Sequence, residues 1–215
     1  MFSTDATVHP YPAGDTSLRR FALELRSLGY DSAVATGIAE RCEYEGVSFL
    51  RGTIIPGASM KEVIRAVRED RGASDVVMVC AGDMSFNRAV LTYPGVHVLK
   101  GVHAVHRSAF DHVAARSAAD RGVAVDIDLT VMTCLKGVRR QRAMERLSDV
   151  ARLSRKYEFP LTVSSGAHSL LGVRSVRAAI HLLSVIGLDD AEAAAALGGV
   201  RTVVDRPKPV EVIEW

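Results

Sequence analysis

The sequence predicts an α/β fold, a (β/α) barrel of TIM-barrel type with about seven parallel strands, for three reasons. The chain has 215 residues, of which 48% are hydrophobic, enough for the core of one domain that we expect to span residues 1–215. Strand-like and helix-like segments alternate, and Gly and Pro recur roughly every 25 to 30 residues, the spacing of βα units. No glycine-rich dinucleotide-binding fingerprint follows a strand, which favours a closed barrel over an open Rossmann sheet.

The predicted strands are short apolar segments that end at turn-forming residues. Residues 76–81 form a continuous apolar run, as expected for a parallel strand that is covered on both faces. Such strands need helical crossovers between them. The seven predicted strands are Asp5–His9, Ser32–Thr36, Val47–Ile55, Asp75–Ala81, Val96–Lys100, Val123–Leu129 and Leu161–Ser164.

The predicted helices occupy the gaps between these strands. Residues 18–28 carry apolar residues at helical spacing, and Gly29 follows in the position that favours a helix C-terminus. Ser59 with Glu62, and Asp189 with Glu192, have the spacing of capping boxes that open two further helices. The remaining predicted helices are Met84–Leu91, Ala109–Arg121, Arg139–Tyr157 and Val173–Ile186.

Positive charge is concentrated in one segment of a nearly neutral chain. The formal net charge is +2, yet the segment from Lys136 to Lys156 holds eight basic and two acidic residues. A local basic patch suits an anionic partner such as RNA, although a solvated helix face is the commoner origin of a charge run.

The sequence gives no sign of a membrane partner or of secretion. It contains no run of about 18 apolar residues, and residues 1–9 lack both a basic segment and an apolar segment of a signal peptide. The three cysteines are far apart and fit neither a disulfide framework nor a zinc motif. We therefore expect a cytoplasmic protein.

Candidate catalytic residues lie at the strand ends, where (β/α) barrels carry their active sites. Asp126 and Asp128 alternate with apolar residues, so both carboxylates should line the barrel interior near its mouth. A metal hydrolase would need more ligands, and the available candidates are Asp5, His9, His103, His106, Asp126 and His168. We expect His103 and His106 to be solvated loop residues and His168 to have a polar loop role.

The segment around Arg139 offers a more specific surface. Arg139, Arg142 and Arg146 fall within an arc of about 60° on a helical wheel, beside an apolar face. Because this helix follows a strand, its first turns should lie at the rim of the barrel, near the loop that carries Arg174. Arginine binds phosphate oxygens through its planar fork, so such a rim suits an RNA backbone.

Taken together, several segments resemble the archaeal ribonuclease P protein component 3 family, the counterpart of the eukaryotic thirty-kilodalton subunit. The similarity runs along most of the chain. It is carried by residues 5–9, Asn87 with Arg88, the helix ending in Arg155, Lys156 and Tyr157, residues 164–167, Arg174, Arg177 and the turn at Gly187.

The resemblance implies a seven-stranded barrel related to the polymerase and histidinol phosphatase metal hydrolases. Those enzymes typically carry two histidines in the first strand and an Asp-His pair after the second, whereas this chain keeps only His9. The loss of several ligands should abolish tight binding of catalytic ions. We therefore assign neither catalytic nor metal-binding residues.

The resemblance also implies a subunit of ribonuclease P, which removes the 5′ leader of precursor tRNA. Catalysis then belongs to the holoenzyme and not to the isolated chain, and magnesium ions are held by the RNA and not by a cofactor site in the protein. The implied partners are the ribonuclease P RNA, another small ribonuclease P protein subunit and, through the complex, precursor tRNA. The RNA-contact role falls on Arg88, Arg139, Arg142, Arg146 and Arg174.

Two other functions remain open from the sequence. One is a free-standing metal-dependent phosphoesterase that uses His9, Asp126, His168 and His103. The other is a barrel that binds only proteins. Metal content would identify the first, and absence of affinity for the catalytic RNA would identify the second.

Overall fold

The computed structural model describes residues 2–57, 59–70 and 72–205. Met1, Ala58, Arg71 and residues 206–215, which the expected domain of residues 1–215 includes, lie outside the described residues. The described chain alternates strands and helices, as the sequence predicts.

Seven parallel strands form the barrel within the described residues. The described strands are β1 (Thr4–Val8), β2 (Ser32–Thr36), β3 (Cys42–Tyr44), β4 (Val47–Ile55), β5 (Val76–Cys80), β6 (Val98–Lys100), β7 (Ala124–Asp128) and β8 (Leu161–Ser164), and all of them except β3 belong to the barrel. Their order around the sheet is β1-β2-β4-β5-β6-β7-β8. Val8 makes a parallel bridge with Ala167, just beyond β8, and this bridge brings the two edges of the sheet together. The predicted seven-stranded barrel is confirmed.

Strand β3 was not predicted from the sequence. It pairs antiparallel with the start of β4 through a hairpin whose turn residues, Glu45 and Gly46, both have positive φ angles of 53° and 77°. This two-residue turn usually contains Asn-Gly or Asp-Gly. Glutamate is not typical there, and β3 has only three residues, so neither signal was present.

The helices lie on the outside of the barrel. They are α1 (Leu18–Ser27), α2 (Met60–Asp70), α3 (Met84–Thr92), α4 (His112–Arg121), α5 (Thr130–Thr133), α6 (Gly137–Tyr157), α7 (Val176–Val185), α8 (Asp190–Leu197) and α9 (Gly199–Val204). The capping box of Asp189 and Glu192 is present. Helices α4 and α7 begin three residues later than predicted, because Asp111 and Ser175 accept hydrogen bonds from their first turns. None of the described helices combines the length and the apolar character of a membrane span.

The barrel interior has an apolar end and a polar end. At the start of the strands, Ala6, Met78 and Val98 pack against Val200 and Val203 of α9. Helix α9 therefore closes the amino-terminal end of the barrel. At the other end the inward-facing positions are polar, and the barrel mouth is therefore where charged side chains collect.

Candidate nucleic-acid interface and barrel mouth

Helix α6 is much longer than the other outer helices. It has 21 residues, about 31 Å, whereas α2 has 11. Its buried residues begin at Ala143, and residues 136–142 are all exposed. We call residues 136–142 the α6 overhang. Because α6 follows β7 through α5, the overhang stands at the carboxyl-terminal rim of the barrel.

The overhang is strongly basic and has no internal counterion. Lys136, Arg139, Arg140 and Arg142 are exposed, and none of their side chains has a partner among the described residues. The first turn of α6 contains no acidic residue, and Lys136 gives it no side-chain cap. Cations at a helix amino terminus oppose the helix dipole by about 0.3 to 1 kcal/mol each. A bound anion would therefore stabilise this end of α6, and without an anion the clustered positive charge destabilises it.

The other predicted RNA-contact residues are held by neighbours. Arg146 Nη1 donates to the carbonyl of His103 at 2.7 Å. Arg174 Nη1 donates to the carbonyls of Leu171 and Val173 at 2.7 and 2.8 Å.

Arg88 pairs with Asp111, the residue that caps α4. Its side chain is 37% exposed, and Nε is buried with no partner in the described residues. Arg139 and Arg142 thus share one projecting segment, whereas Arg88, Arg146 and Arg174 lie on other parts of the rim with some of their N–H groups already used.

Two histidines stack at the barrel mouth. The rings of His9 and His168 lie 4.1 Å apart at an angle of 13°. His9 Nδ1 is 2.9 Å from Thr36 Oγ1, and His168 Nδ1 is 3.1 Å from the Ala13 carbonyl oxygen. Burial and, to a smaller extent, His168 and Lys100 lower the pKa of His9 to about 4, so its ring is neutral near pH 7. His168 has the polar loop contact predicted for it.

The predicted inward direction of Asp126 is confirmed, and its partner is a lysine. Lys100 Nζ lies 2.7 Å from Asp126 Oδ2 and 2.7 Å from Ser164 Oγ. Ser164 Oγ also donates to Asp126 Oδ2 at 2.6 Å, and Thr162 Oγ1 donates to Oδ1 at 3.0 Å. The Asp126 side chain is 0% exposed and that of Lys100 12%. This buried carboxylate has a full set of partners.

Asp128 and the histidines after β6 occupy the surrounding positions. Asp128 Oδ1 accepts from Thr130 N at 2.8 Å and from Thr130 Oγ1 at 2.6 Å. His106 is exposed, as expected, and its ring accepts from Ser108 N. His103 is half-buried instead of solvated, because the polar rim of the barrel and the third turn of α6 cover it. Burial lowers its pKa.

The donor set at the mouth does not fit a divalent metal ion. In the described parts of the chain, no three His, Cys, Asp or Glu side chains come together as metal ligands do. The ammonium group of Lys100 occupies the space beside the Asp126 carboxylate. The two stacked histidines are hydrogen-bonded to the Thr36 hydroxyl and the Ala13 carbonyl group. The phosphoesterase alternative therefore has no support in this geometry.

Sequence reasoning missed three participants in these two regions. Lys100 ends a predicted strand, and its alternation with the inward-facing Val98 indicates that its side chain faces the interior. Lys136 and Arg140 lie outside the arc of Arg139, Arg142 and Arg146 on a helical wheel, and an interface restricted to that one face leaves them out. In the overhang every face is exposed.

Comparison with known proteins gives one consistent family. A sequence model of the family described as RNase P subunit p30 matches residues 2–208. Ribonuclease P protein component 3 of Methanothermobacter thermautotrophicus is 30% identical over 85% of this chain and 80% of its own length. The protein of the same name from Methanococcoides burtonii is 28% identical over 90% of this chain and 83% of its own length.

Two solved structures share the fold at low sequence identity. A chain in the cryo-EM structure of archaeal ribonuclease P with mature tRNA has a TM-score of 0.79 and 16% identity, and covers 99% of this chain and 98% of its own. Histidinol phosphate phosphatase from Lactococcus lactis, determined with zinc, L-histidinol and phosphate, has a TM-score of 0.57 and 9% identity, and covers 86% and 94%. The barrel fold is thus shared with a phosphatase determined with zinc, whereas the sequence matches reported above are to ribonuclease P proteins. The chain belongs to the RNase P subunit p30 family.

Proposed function

We propose that this chain works as a protein subunit of ribonuclease P and supports the catalytic RNA in 5′ maturation of precursor tRNA by binding RNA phosphates through the α6 overhang. The observation that carries the RNA contact is the projecting basic segment itself: four cations at a helix amino terminus, all exposed and without counterions in the described structure. Such a segment lowers the stability of the free protein and gains favourable energy beside phosphates.

The remaining predicted arginines extend this surface around the rim. Arg146 and Arg174 donate to backbone carbonyls through one nitrogen each and keep other N–H groups for a phosphate. Arg88 is half-exposed beside Asp111 and contributes a weaker contact, because its charge is already paired. The overhang is the centre of the proposed interface, and these three residues are its margin.

RNA and protein partners follow from membership of a ribonucleoprotein family, and the finer assignments are part of the proposal. They are the ribonuclease P RNA, a second small protein subunit and, through the complex, precursor tRNA. The catalytic magnesium ions are held by RNA, where they activate water and stabilise the leaving oxygen. The protein needs no tightly bound cofactor, and the cytoplasm stays the proposed location.

Salt dependence of RNA binding tests the overhang directly. Each phosphate contact adds roughly 0.7 to 0.9 to the slope of log affinity against log salt, because bound counterions are released. In filter binding of the partner-paired protein to ribonuclease P RNA, replacing Arg139, Arg140 and Arg142 by Gln should reduce the slope by about two to three.

The same helix supplies a matched control. Arg152, Arg155 and Lys156 carry the same charge at the opposite end of α6, and two of them already pair with Asp149 and Glu192. Their replacement by Gln should leave the slope unchanged. Equal slopes for both folded triple variants, with folding checked by circular dichroism, would move the RNA site away from the overhang.

A further inference from the structure

The polar end of the barrel interior is organised around one ammonium group. Strands β6 and β7 pair in parallel with Val98 opposite Ala124 and Leu99 opposite Val125, which brings Lys100 alongside Asp126. Asp128 of β7 pairs with Ser164 of β8 in the same sheet. The register therefore places Lys100 level with Asp126, and it places Asp128 and Ser164 level with each other, two residues further along β7 and β8 toward the mouth.

Lys100 balances more negative charge than that of Asp126. Burial lowers the pKa of Lys100, but the carboxylates of Asp126, Asp128 and Asp5 outweigh it and raise the pKa overall, so the ammonium stays charged. Asp5 Oδ2 is buried without a hydrogen-bond partner among the described residues. Without Lys100 these carboxylates would face a strongly unfavourable interior.

We propose that the Lys100 ammonium is a resident cation that replaces a divalent metal ion in this barrel and closes its mouth to metals. The histidinol phosphate phosphatase that shares this fold was determined with zinc, whereas here a covalently attached ammonium lies at hydrogen-bond distance from the buried carboxylate of Asp126. With the ammonium in place, Asp126 has no free position for a metal ion, and metal catalysis needs open coordination positions. This inference does not depend on RNA binding by the overhang.

A charge-removal cycle tests the neutralising role. Lys100→Met keeps an unbranched stem of similar length and removes the charge, so the unfolding equilibrium constant in urea should rise on the order of 100-fold or more. Asp126→Asn in the same chain removes the stranded carboxylate that is hydrogen-bonded to Lys100, so Lys100→Met/Asp126→Asn should recover a large part of that loss. An unfolding curve of Lys100→Met like that of the original protein would overturn the proposal.

The double variant keeps the test decisive if Lys100→Met does not fold. A folded Lys100→Met/Asp126→Asn protein then supports charge neutralisation. A double variant as unstable as Lys100→Met overturns it, because lost packing of the lysine stem would then be the cause.

Manganese tests the exclusion of metals. Millimolar Mn²⁺ should leave the melting temperature of the original protein unchanged. It should raise the melting temperature, or the folded circular dichroism signal, of Lys100→Ala, where the shortened side chain leaves space beside the carboxylates, but not that of Lys100→Ala/Asp126→Asn. No response of Lys100→Ala, or stoichiometric Mn²⁺ in the original protein that Asp126→Asn removes, would overturn the proposal.

Discussion

Asp5 shows how a single buried carboxyl group couples the stability of this barrel to pH. Its Oδ1 accepts from the backbone N–H groups of Thr7 at 3.1 Å and Ser165 at 3.0 Å, yet the residue is only 1% exposed. Burial outweighs these bonds and raises the pKa of Asp5 from 3.8 to about 6. Between pH 3.8 and about pH 6, the carboxyl group of Asp5 therefore keeps its proton in the folded protein, whereas in the unfolded chain it has already lost it.

Replacing Asp5 by Asn should therefore change the pH dependence of unfolding. The stabilising contribution of protonated Asp5 is complete below about pH 4 and is lost as the pH rises through 6. As the pH rises from 4 to 8, the free energy of unfolding of the original protein should fall by up to about 3 kcal/mol relative to that of Asp5→Asn. Urea titrations of both proteins at several pH values measure this difference.

Asp75 provides a control of opposite sign. Burial raises its pKa, but the bonds from Arg51 and Arg41 outweigh burial and hold the pKa of Asp75 well below its usual range. Its contribution is present near neutrality and lost in acid, so the deficit of Asp75→Asn should shrink as the pH falls. A constant difference between Asp5→Asn and the original protein at every pH would contradict the account of Asp5.

The direction of individual side chains was largely predictable, and their partners were not. Alternation along one strand was enough to place Asp126 and Asp128 in the interior. Pairing of Asp126 with Lys100 depends on which strands are neighbours and on their register, two properties that alternation within a strand does not contain. The half-buried position of His103 has the same origin, since a distant helix covers it.

At the scale of the element, α9 depends on close backbone packing against the start of β8. It was not predicted, because six residues with Gly199 at the start have no helical periodicity to detect. A Cβ on Gly199 would lie 1.8 Å from the Leu161 carbonyl oxygen, at the start of β8. The lack of a side chain thus lets α9 approach the sheet and bury Val200 and Val203.

Gly199→Ala should therefore destabilise the protein, whereas Gly198→Ala should not. The first substitution forces the helix away from β8, at a cost of about 1 to 3 kcal/mol. Gly198 has an ordinary helical backbone, and a Cβ there would meet its nearest atoms at 3.5 Å, so a change within about 0.5 kcal/mol is expected. Equal losses in thermal or urea unfolding would show that α9 does not need this contact.

The longer elements were predictable because burial imposes a period on them. All seven barrel strands and the α6 segment follow from apolar spacing, and the errors lie at the ends of elements, such as the start of β6 and the start of α4. At α4 the capping side chain of Asp111 decides the boundary. The overhang could not be recognised from spacing, since its defining property is that all of its residues are exposed in the described structure.

At the scale of the whole molecule, the barrel mouth in the described residues is a network of buried and paired side chains. A general base near neutral pH works best with a pKa close to 7, but the pKa of His9 is lowered to about 4. The buried Asp126 is neutralised by Lys100 and hydrogen-bonded to Thr162 and Ser164. Within the described residues no metal-ligand cluster is available to activate water instead.

The purified chain alone should therefore leave precursor tRNA uncut in magnesium, and cleavage should begin only when ribonuclease P RNA and the partner protein are added. Gel analysis of 5′-labelled precursor tRNA measures both states, and nuclease treatment of the reconstituted sample before substrate addition should abolish the activity. The His9→Ala variant serves as the discriminating control, because it removes the one histidine at the end of β1. Cleavage by the protein alone that survives nuclease treatment, follows the protein through purification and disappears in His9→Ala would place catalysis in the barrel. Unchanged reconstituted activity of His9→Ala would instead agree with catalysis by the RNA, for which the barrel serves as a binding scaffold.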